Sequence, residues 1–248
     1  MAESHEKLTL YTTRLLEKKQ EAKEIFSFKF EIPAGLTWHV GSHFHFAFPS
    51  FMKGAEPDKT LVRAFSLMSM NDEQYLGFTT RIKEDCSPYK KKLMALHAGD
   101  EMTLFKISHH MELKREKKPL VFLSMGVGLA TFRPFLISLQ RKRDNIPFVT
   151  NITIDSKHAN LYQSEREMSQ HDCFCNHCVR TRKELYAQID NCLAMEQSVY
   201  YIVGSDSFIQ DLCRYLINHS VDKSHIMLDK KMEERQQLIN KSCTIDAV

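Results

Sequence analysis

The chain has 248 residues, which allows one large domain or two domains of ordinary size. Its 43% hydrophobic residues are enough for real cores, and a net charge of only +3 argues against nucleic acid as the main partner. There is no apolar run long enough to span a membrane, and the first residues lack the apolar core of a signal peptide, so we expect a cytoplasmic protein whose seven cysteines are reduced.

The first half of the chain is rich in short strand patterns. Alternating polar and apolar residues predict strands over residues 7–14, 25–32, 39–48 and 75–82, and residues 51–59 have the composition of a loop. Short strands at this spacing are typical of an antiparallel barrel.

The stretch 61–69 reads as another strand, and it brings together groups that suit a flat, phosphorylated ligand. Arg63 offers a planar fork for phosphate, Phe65 a ring face for stacking, and Ser66 and Ser69 short hydroxyl groups. Strand alternation points Arg63 and Phe65 to one face and Ser66 to the other. A ligand along the strand end could contact both sets, whereas an ordinary strand with one surface arginine fits the same residues.

The run from Arg63 to Ser69 resembles the Arg-x-Tyr-Ser-x-x-Ser flavin motif of the ferredoxin–NADP reductase superfamily, with phenylalanine in place of tyrosine. The resemblance extends, with gaps, over roughly residues 5–230. It implies that Arg63 holds a flavin phosphate, that Phe65 packs on the isoalloxazine ring and that Ser66 is the catalytic residue beside its reactive nitrogen. Ser69 and Thr80 belong to the same implied flavin site.

A helix is predicted over residues 88–97, followed by a strand at 101–105. Ser87 is a natural N-cap and Pro88 suits the first helical position. The free backbone N–H groups of such a helix end can bind phosphate. In the related family a serine at this place meets the flavin pyrophosphate, which favours FAD over FMN. The alternative is that Ser87 only caps its own helix.

The second half of the chain has the alternating strand and helix patterns of a parallel sheet. Strands are predicted at 120–124, 146–154, 198–203 and 225–228, and helices at 131–139, 209–217 and, in a charged tail, 232–241. We therefore predict an α+β two-domain protein. An antiparallel β-barrel flavin domain (1–116) is followed by an α/β parallel-sheet NAD(P)-binding domain (117–231) and the tail (232–248).

A glycine-rich turn joins the first of these strands to its helix. Gly126 and Gly128 there predict a phosphate-binding turn for a dinucleotide. Residues 125–133 resemble the family's Gly-Gly-Thr-Gly-Ile-Ala-Pro-Phe-Arg, with Met125 for the first glycine and Thr131 for the proline. Thr131 is expected to cap the helix and to reach the nicotinamide amide.

Residues at the ends of the next two strands complete the predicted nucleotide site. Ser156 and Lys157 could bind the 2′-phosphate of NADPH, whereas Asp155 could repel it, so NADPH is favoured but NADH stays open. Gly204 and Ser205 resemble the family segment that flanks the nicotinamide.

Residues 171–178 contain five cysteine and histidine side chains that could bind a metal. Cys175 and Cys178 have the spacing to chelate one ion, but no second pair of ligands follows. We expect no metal, and a surface segment with reduced thiols ahead of a helix at 179–189. A metal site of Cys173, Cys175 and Cys178 is the alternative.

Two other clusters are expected to have no binding role. The lysines at 90–92 are typical of a solvated face. His109 and His110 are adjacent on a strand and so point to opposite faces, which does not suit a shared metal.

These features predict a flavin-dependent oxidoreductase that passes electrons from NADPH or NADH through FAD to an acceptor. The acceptor would be a small redox protein such as ferredoxin or flavodoxin, or another acceptor such as a ferric chelate. The alternatives are a flavin-binding reductase subunit that needs an iron–sulfur partner, a flavin-bound sensor, or a metal-binding protein built on the cysteine segment.

Overall fold

The computed structural model of the chain describes residues 9–53, 56–157, 159–168 and 173–243. It divides the chain into two units, Met1–His109 and His110–Val248. The first is built on an antiparallel sheet and the second on a parallel sheet with helices, which confirms the predicted two-domain α+β fold class. The domain limits at residues 116 and 231 stay a prediction.

In its described residues, the first unit contains one sheet and one α-helix. Its elements are β1 (Tyr11–Ala22), β2 (Ile25–Phe30), β3 (Ser42–Ala47), β4 (Val62–Ser66), β5 (Leu76–Arg81), α1 (Pro88–Ala95) and β6 (Glu101–His109). The six strands form an open, curled antiparallel sheet in the order β4-β3-β6-β1-β2-β5. The strand that carries the arginine–phenylalanine motif, β4, therefore lies at an edge of the sheet.

Phenylalanines that alternate along the strands build the core of this unit. Phe28 and Phe30 on β2, Phe44 and Phe46 on β3, and Phe78 on β5 are all 0% exposed. The ring centroids of Phe46 and Phe78 are 4.7 Å apart. Such aromatic pairs each add about 0.5–1.5 kcal/mol to stability beyond the contribution of their buried area. The cluster therefore stabilises the part of the sheet against which β4 packs.

The second unit contains a parallel sheet and five α-helices within the described residues. Its elements are β7 (Leu120–Met125), α2 (Leu129–Arg141), β8 (Val149–Ile154), α3 (Gln163–Met168), β9 (Phe174–Val179), α4 (Arg182–Leu193), β10 (Val199–Val203), α5 (Asp206–Asn218), β11 (Ile226–Leu228) and α6 (Met232–Cys243). The strand order is β11-β10-β7-β8-β9. The chain moves outward from β7 first to one side and then to the other, so the order reverses beside β7, where open α/β sheets bind ligands.

The cysteine segment differs from the sequence prediction. Residues 174–179 form the edge strand β9, paired with β8, and α4 begins only at Arg182. Polar residues on a half-exposed edge strand disguise its pattern, and Thr181 supplies the helix cap. His171 and Asp172 lie outside the described residues.

None of the helices that the structure describes is long and apolar enough to cross a membrane.

Candidate functional site

The side chains of β4 alternate as predicted. Phe65 lies opposite Phe44 of β3, and Ser66 lies opposite His43. Directly opposed residues share a face of the sheet, so Phe65 points with the aromatic core and Ser66 points the other way, next to His43. His43 carries no local sequence signal for this position, because its proximity to Ser66 depends on strand pairing and not on a local motif.

The ring of Phe65 is held from behind by the core. It stacks on Phe78 with 3.9 Å between centroids and an interplanar angle of 6°. The ring centroids of Phe46 and Tyr89 lie 5.9 and 6.0 Å from that of Phe65. Phe65 is only half-buried, so the ring remains partly accessible to a flat ligand.

Arg63 lies over the first turn of α1. Its guanidinium carbon is 5.5 Å from the ring centroid of Tyr89, and it donates hydrogen bonds to the carbonyl oxygens of Lys59 and Val62 at 3.2 and 2.6 Å. The side chain is exposed, whereas Tyr89 is buried. Burial raises the pKa of the Tyr89 hydroxyl, and the nearby Arg63 charge opposes that rise.

Ser87 caps α1, as the sequence predicts. Its Oγ accepts a hydrogen bond from the backbone N–H of Lys90 at 3.5 Å, and Pro88 is the first helical residue. The long cap bond is compatible with both predicted roles, because a hydroxyl can cap its helix and also donate to a phosphate oxygen.

Two further cations, Arg81 and Lys90, approach the same helix end. Lys90 is half-buried, and its Nζ donates to the carbonyl oxygen of Arg81. Burial lowers the pKa of Lys90; Cys86 opposes this shift, while the charges of Arg81 and Arg63 reinforce it. The Arg81 Nε is buried and finds no hydrogen-bond partner among the described residues. The charges of Arg63 and Arg81 both act on Lys90, so the three residues form a cation cluster that no local sequence motif predicts.

Ser69, which lies between β4 and β5, and Thr80 on β5 are both buried. Ser69 is 1% exposed, and its Oγ accepts a hydrogen bond from the Gly77 N–H at 3.0 Å. Thr80 lies on β5 opposite Phe26 and is 6% exposed. Their assignment to the flavin site stays a prediction.

The glycine turn of the second unit joins β7 to α2, as the sequence predicts, and its role in binding phosphate stays a prediction. Gly126 has a φ of +55°, which favours glycine, and a Cβ on Gly128 would lie 2.9 Å from the carbonyl oxygen of Val203 at the end of β10. The predicted cap by Thr131 is wrong. The helix begins at Leu129, so Thr131 is its third residue, and it is buried.

The acidic residue directly after β8, Asp155, has a buried side chain. Asp155 is 7% exposed, and its Oδ2 accepts a hydrogen bond from the Asn160 N–H at 2.9 Å. Ser156 and Lys157 are exposed. The Asp155 N–H donates to the carbonyl oxygen of the last β9 residue at 2.8 Å, which brings the exposed Arg180 to this corner. Arg180 was missed because only sheet pairing brings it here.

Gly204 and Ser205 join β10 to α5. The Ser205 Oγ accepts a hydrogen bond from the Phe208 N–H at 3.3 Å and so caps the helix. A Cβ on Gly204 would collide with the ring of Phe208, which is 0% exposed. Both residues therefore have a structural role at the same sheet edge as the glycine turn.

The cysteine segment does not assemble a metal site in the part of the chain that is described. Cys175 and Cys178 are three positions apart on β9, so they point to opposite faces of the sheet. Across the described ranges no group of three His, Cys, Asp or Glu side chains is arranged to hold a metal ion.

No protein-family profile and no curated protein matches this chain. Solved structures do match it. A ferredoxin NADP+ reductase from Neisseria gonorrhoeae with bound FAD and NADP has a TM-score of 0.75 and 18% identity, over 88% of this chain and 97% of that chain. The CS-b5R domains of human Ncb5or in the NAD+ form have a TM-score of 0.74 and 14% identity, over 91% of this chain and 71% of that chain.

A third match is the Flavohem-like FAD/NAD-binding domain of nitric oxide dioxygenase from Vibrio cholerae. It has a TM-score of 0.68 and 16% identity, over 88% of this chain and 97% of that chain. At identities of 14–18%, these likenesses establish the fold alone.

Proposed function

We propose that this chain, which has the fold of the ferredoxin–NADP reductase-like flavoproteins, is an oxidoreductase that binds FAD and oxidises NADPH. The observation that carries the proposal is the arrangement around β4. A half-buried ring that is stacked on the core lies on the same strand as an arginine over the first turn of α1. A buried arginine nitrogen without a partner among the described residues adds a donor that suits an anion there.

Four residues of the first unit would contact FAD. The open side of the Phe65 ring would pack on the flavin ring, Arg63 would bind the phosphate groups, and Ser87 would donate to them at the helix end. Ser66 would offer its hydroxyl to the edge of the ring. A bound flavin supplies the chemistry, because it can accept a hydride from a reduced nicotinamide and release electrons one at a time.

The second unit would bind the pyridine nucleotide at the carboxyl ends of its strands. The turn at Gly126 and Gly128 presents backbone N–H groups to phosphates. The Asp155 carboxylate already accepts a backbone N–H and is buried, so it is poorly placed to select the 2′-hydroxyl of NADH. Two of the exposed side chains at that corner, those of Lys157 and Arg180, are cations, which supports NADPH.

The electron acceptor in this proposal is a one-electron carrier, either a small redox protein such as ferredoxin or flavodoxin, or a ferric chelate. The reduced thiols expected from the cysteine count support a cytoplasmic site of action.

Anaerobic titration tests the proposal. Purified protein is loaded with FAD, its visible absorbance is recorded, and NADPH is added, followed by ferricyanide. Bleaching of the flavin by NADPH and its recovery with ferricyanide are expected. Protein that binds FAD but is not bleached by NADPH or NADH would instead be a reductase subunit or sensor. Failure to take up FAD would refute the proposal.

A further inference from the structure

The three lysines at the start of α1 are not equivalent in the structure. Lys91 and Lys92 are exposed, and the Lys92 ammonium lies 5.9 Å from the ring centroid of Phe48. Lys90 is half-buried and turns toward β5, where it donates to the carbonyl oxygen of Arg81. Only one member of this basic run is therefore held against the body of the first unit.

The position of Lys90 is electrostatically unfavourable. It is the third residue of α1, where the helix end carries partial positive charge and unsatisfied N–H groups. Burial is the main cause that lowers the pKa of Lys90, and the charges of Arg81 and Arg63 lower it further. Among the described residues none of the three cations forms an ion pair with an acid, and the nearby Glu84 and Asp85 are exposed.

A cluster of like charges at the positive end of a helix is stabilised by an anion. Its cations come from β4, from β5 and from α1. The Arg63 guanidinium lies over Tyr89 in the first turn of the helix, and the Lys90 ammonium contacts the Arg81 backbone. Arg63 is on the same strand as the half-buried Phe65. A ligand whose anionic group binds in this cluster would therefore also place a flat ring on β4.

We propose that Lys90 acts with Arg63 and Arg81 as the third cation that binds the diphosphate of FAD at the start of α1. This inference rests on the proposed function and adds to it a residue that determines affinity for the phosphates and not for the ring. Lys91, one position further along, has no such role.

Two substitutions separate this role from a structural one. Lys90→Gln removes the charge but keeps an N–H donor for the Arg81 carbonyl oxygen. Lys91→Gln removes the same charge from the exposed neighbour. For both variants and the wild-type protein, dissociation constants for FAD and for riboflavin, which has no phosphate, are measured by fluorescence at low salt.

Lys90→Gln should weaken FAD binding by roughly tenfold or more, as expected for one hydrogen bond to a charged group. Riboflavin affinity should be unchanged in both variants, and Lys91→Gln should bind FAD like the wild type. The flavin-free Lys90→Gln protein should also melt at a higher temperature than the flavin-free wild type, because one of three like charges is gone. A lysine with only a structural role would lower that melting temperature.

Equal FAD affinity in the two variants, or an equal loss of riboflavin affinity in Lys90→Gln, would overturn the role of Lys90 and leave the proposed function intact. A wild-type protein that binds neither FAD nor riboflavin would overturn the proposed function itself.

Discussion

Ser66 is the side chain of β4 on which the proposed hydride transfer depends most. It lies opposite His43, on the face away from the aromatic core. Ser66→Ala removes a donor beside the place where charge develops, so NADPH should reduce the bound flavin about 10²-fold more slowly. The affinity for FAD should change little, because the ring and phosphate contacts remain. Stopped-flow measurement of flavin bleaching under anaerobic conditions checks both rate and amplitude.

Ser108→Ala is the matched control for this substitution. Ser108 lies opposite the same His43 but on β6, away from the proposed flavin contact. NADPH should bleach the flavin of the Ser108→Ala variant at the wild-type rate. If the two alanine variants are slowed alike, the effect comes from the packing of His43 and Ser66 has no catalytic part.

At the scale of elements, the N-terminus of α1 can be compared with that of α4. Ser87 caps α1 and Thr181 caps α4, through bonds of 3.5 and 3.2 Å to backbone N–H groups. Replacing either residue by alanine should lower the free energy of unfolding by about 1 kcal/mol, measured by urea denaturation. Only Ser87→Ala should also weaken FAD binding. If neither variant, or both alike, changes the FAD dissociation constant, then Ser87 only caps its helix.

The glycine turn ahead of α2 makes a second prediction at this scale. A Cβ at Gly128 would meet the Val203 carbonyl oxygen at 2.9 Å, so Gly128→Ala must displace the turn from β10. We expect a loss of about 1–3 kcal/mol in the free energy of unfolding and a marked rise in KM for NADPH. Gly99→Ala is the control, since its φ is +92° but no atom lies within 4 Å of the added Cβ. It should lose stability through strain and keep its KM; an unchanged KM in Gly128→Ala would count against the phosphate-binding role.

For the whole molecule, local patterns were enough to predict the fold class and several contacts. The cap at Ser87 and the positive φ of Gly126 depend on neighbours in sequence, and both are found as local rules require. The predicted cap at Thr131 failed because Gly126–Gly128 forms a short 3-10 helix that lets α2 begin at Leu129. Because α2 begins two residues earlier than predicted, Thr131 lies inside its first turn and its side chain is buried.

Contacts that depend on tertiary pairing could not be predicted. Nothing in a run of three lysines shows which one will turn inward, since the choice depends on the Arg81 carbonyl oxygen of β5. Strand register likewise brings His43 beside Ser66. The edge strand β9 was missed because its polar face resembles a surface segment.

The predicted preference for NADPH depends on which residues the parallel sheet brings together. Ile154 and Val179 pair at the ends of β8 and β9, so Arg180 follows at the same sheet edge as Ser156 and Lys157 although it is distant in sequence. Arg180→Gln removes a cation suited to a 2′-phosphate, and kcat/KM for NADPH should fall roughly tenfold or more while kcat/KM for NADH stays unchanged. Lys183→Gln removes the same charge from the exposed surface of α4 and should alter neither value. Steady-state ferricyanide reduction with each nucleotide gives the ratios. A wild-type protein that prefers NADH, or an Arg180→Gln variant that loses both activities equally, would show that this corner does not select the nucleotide.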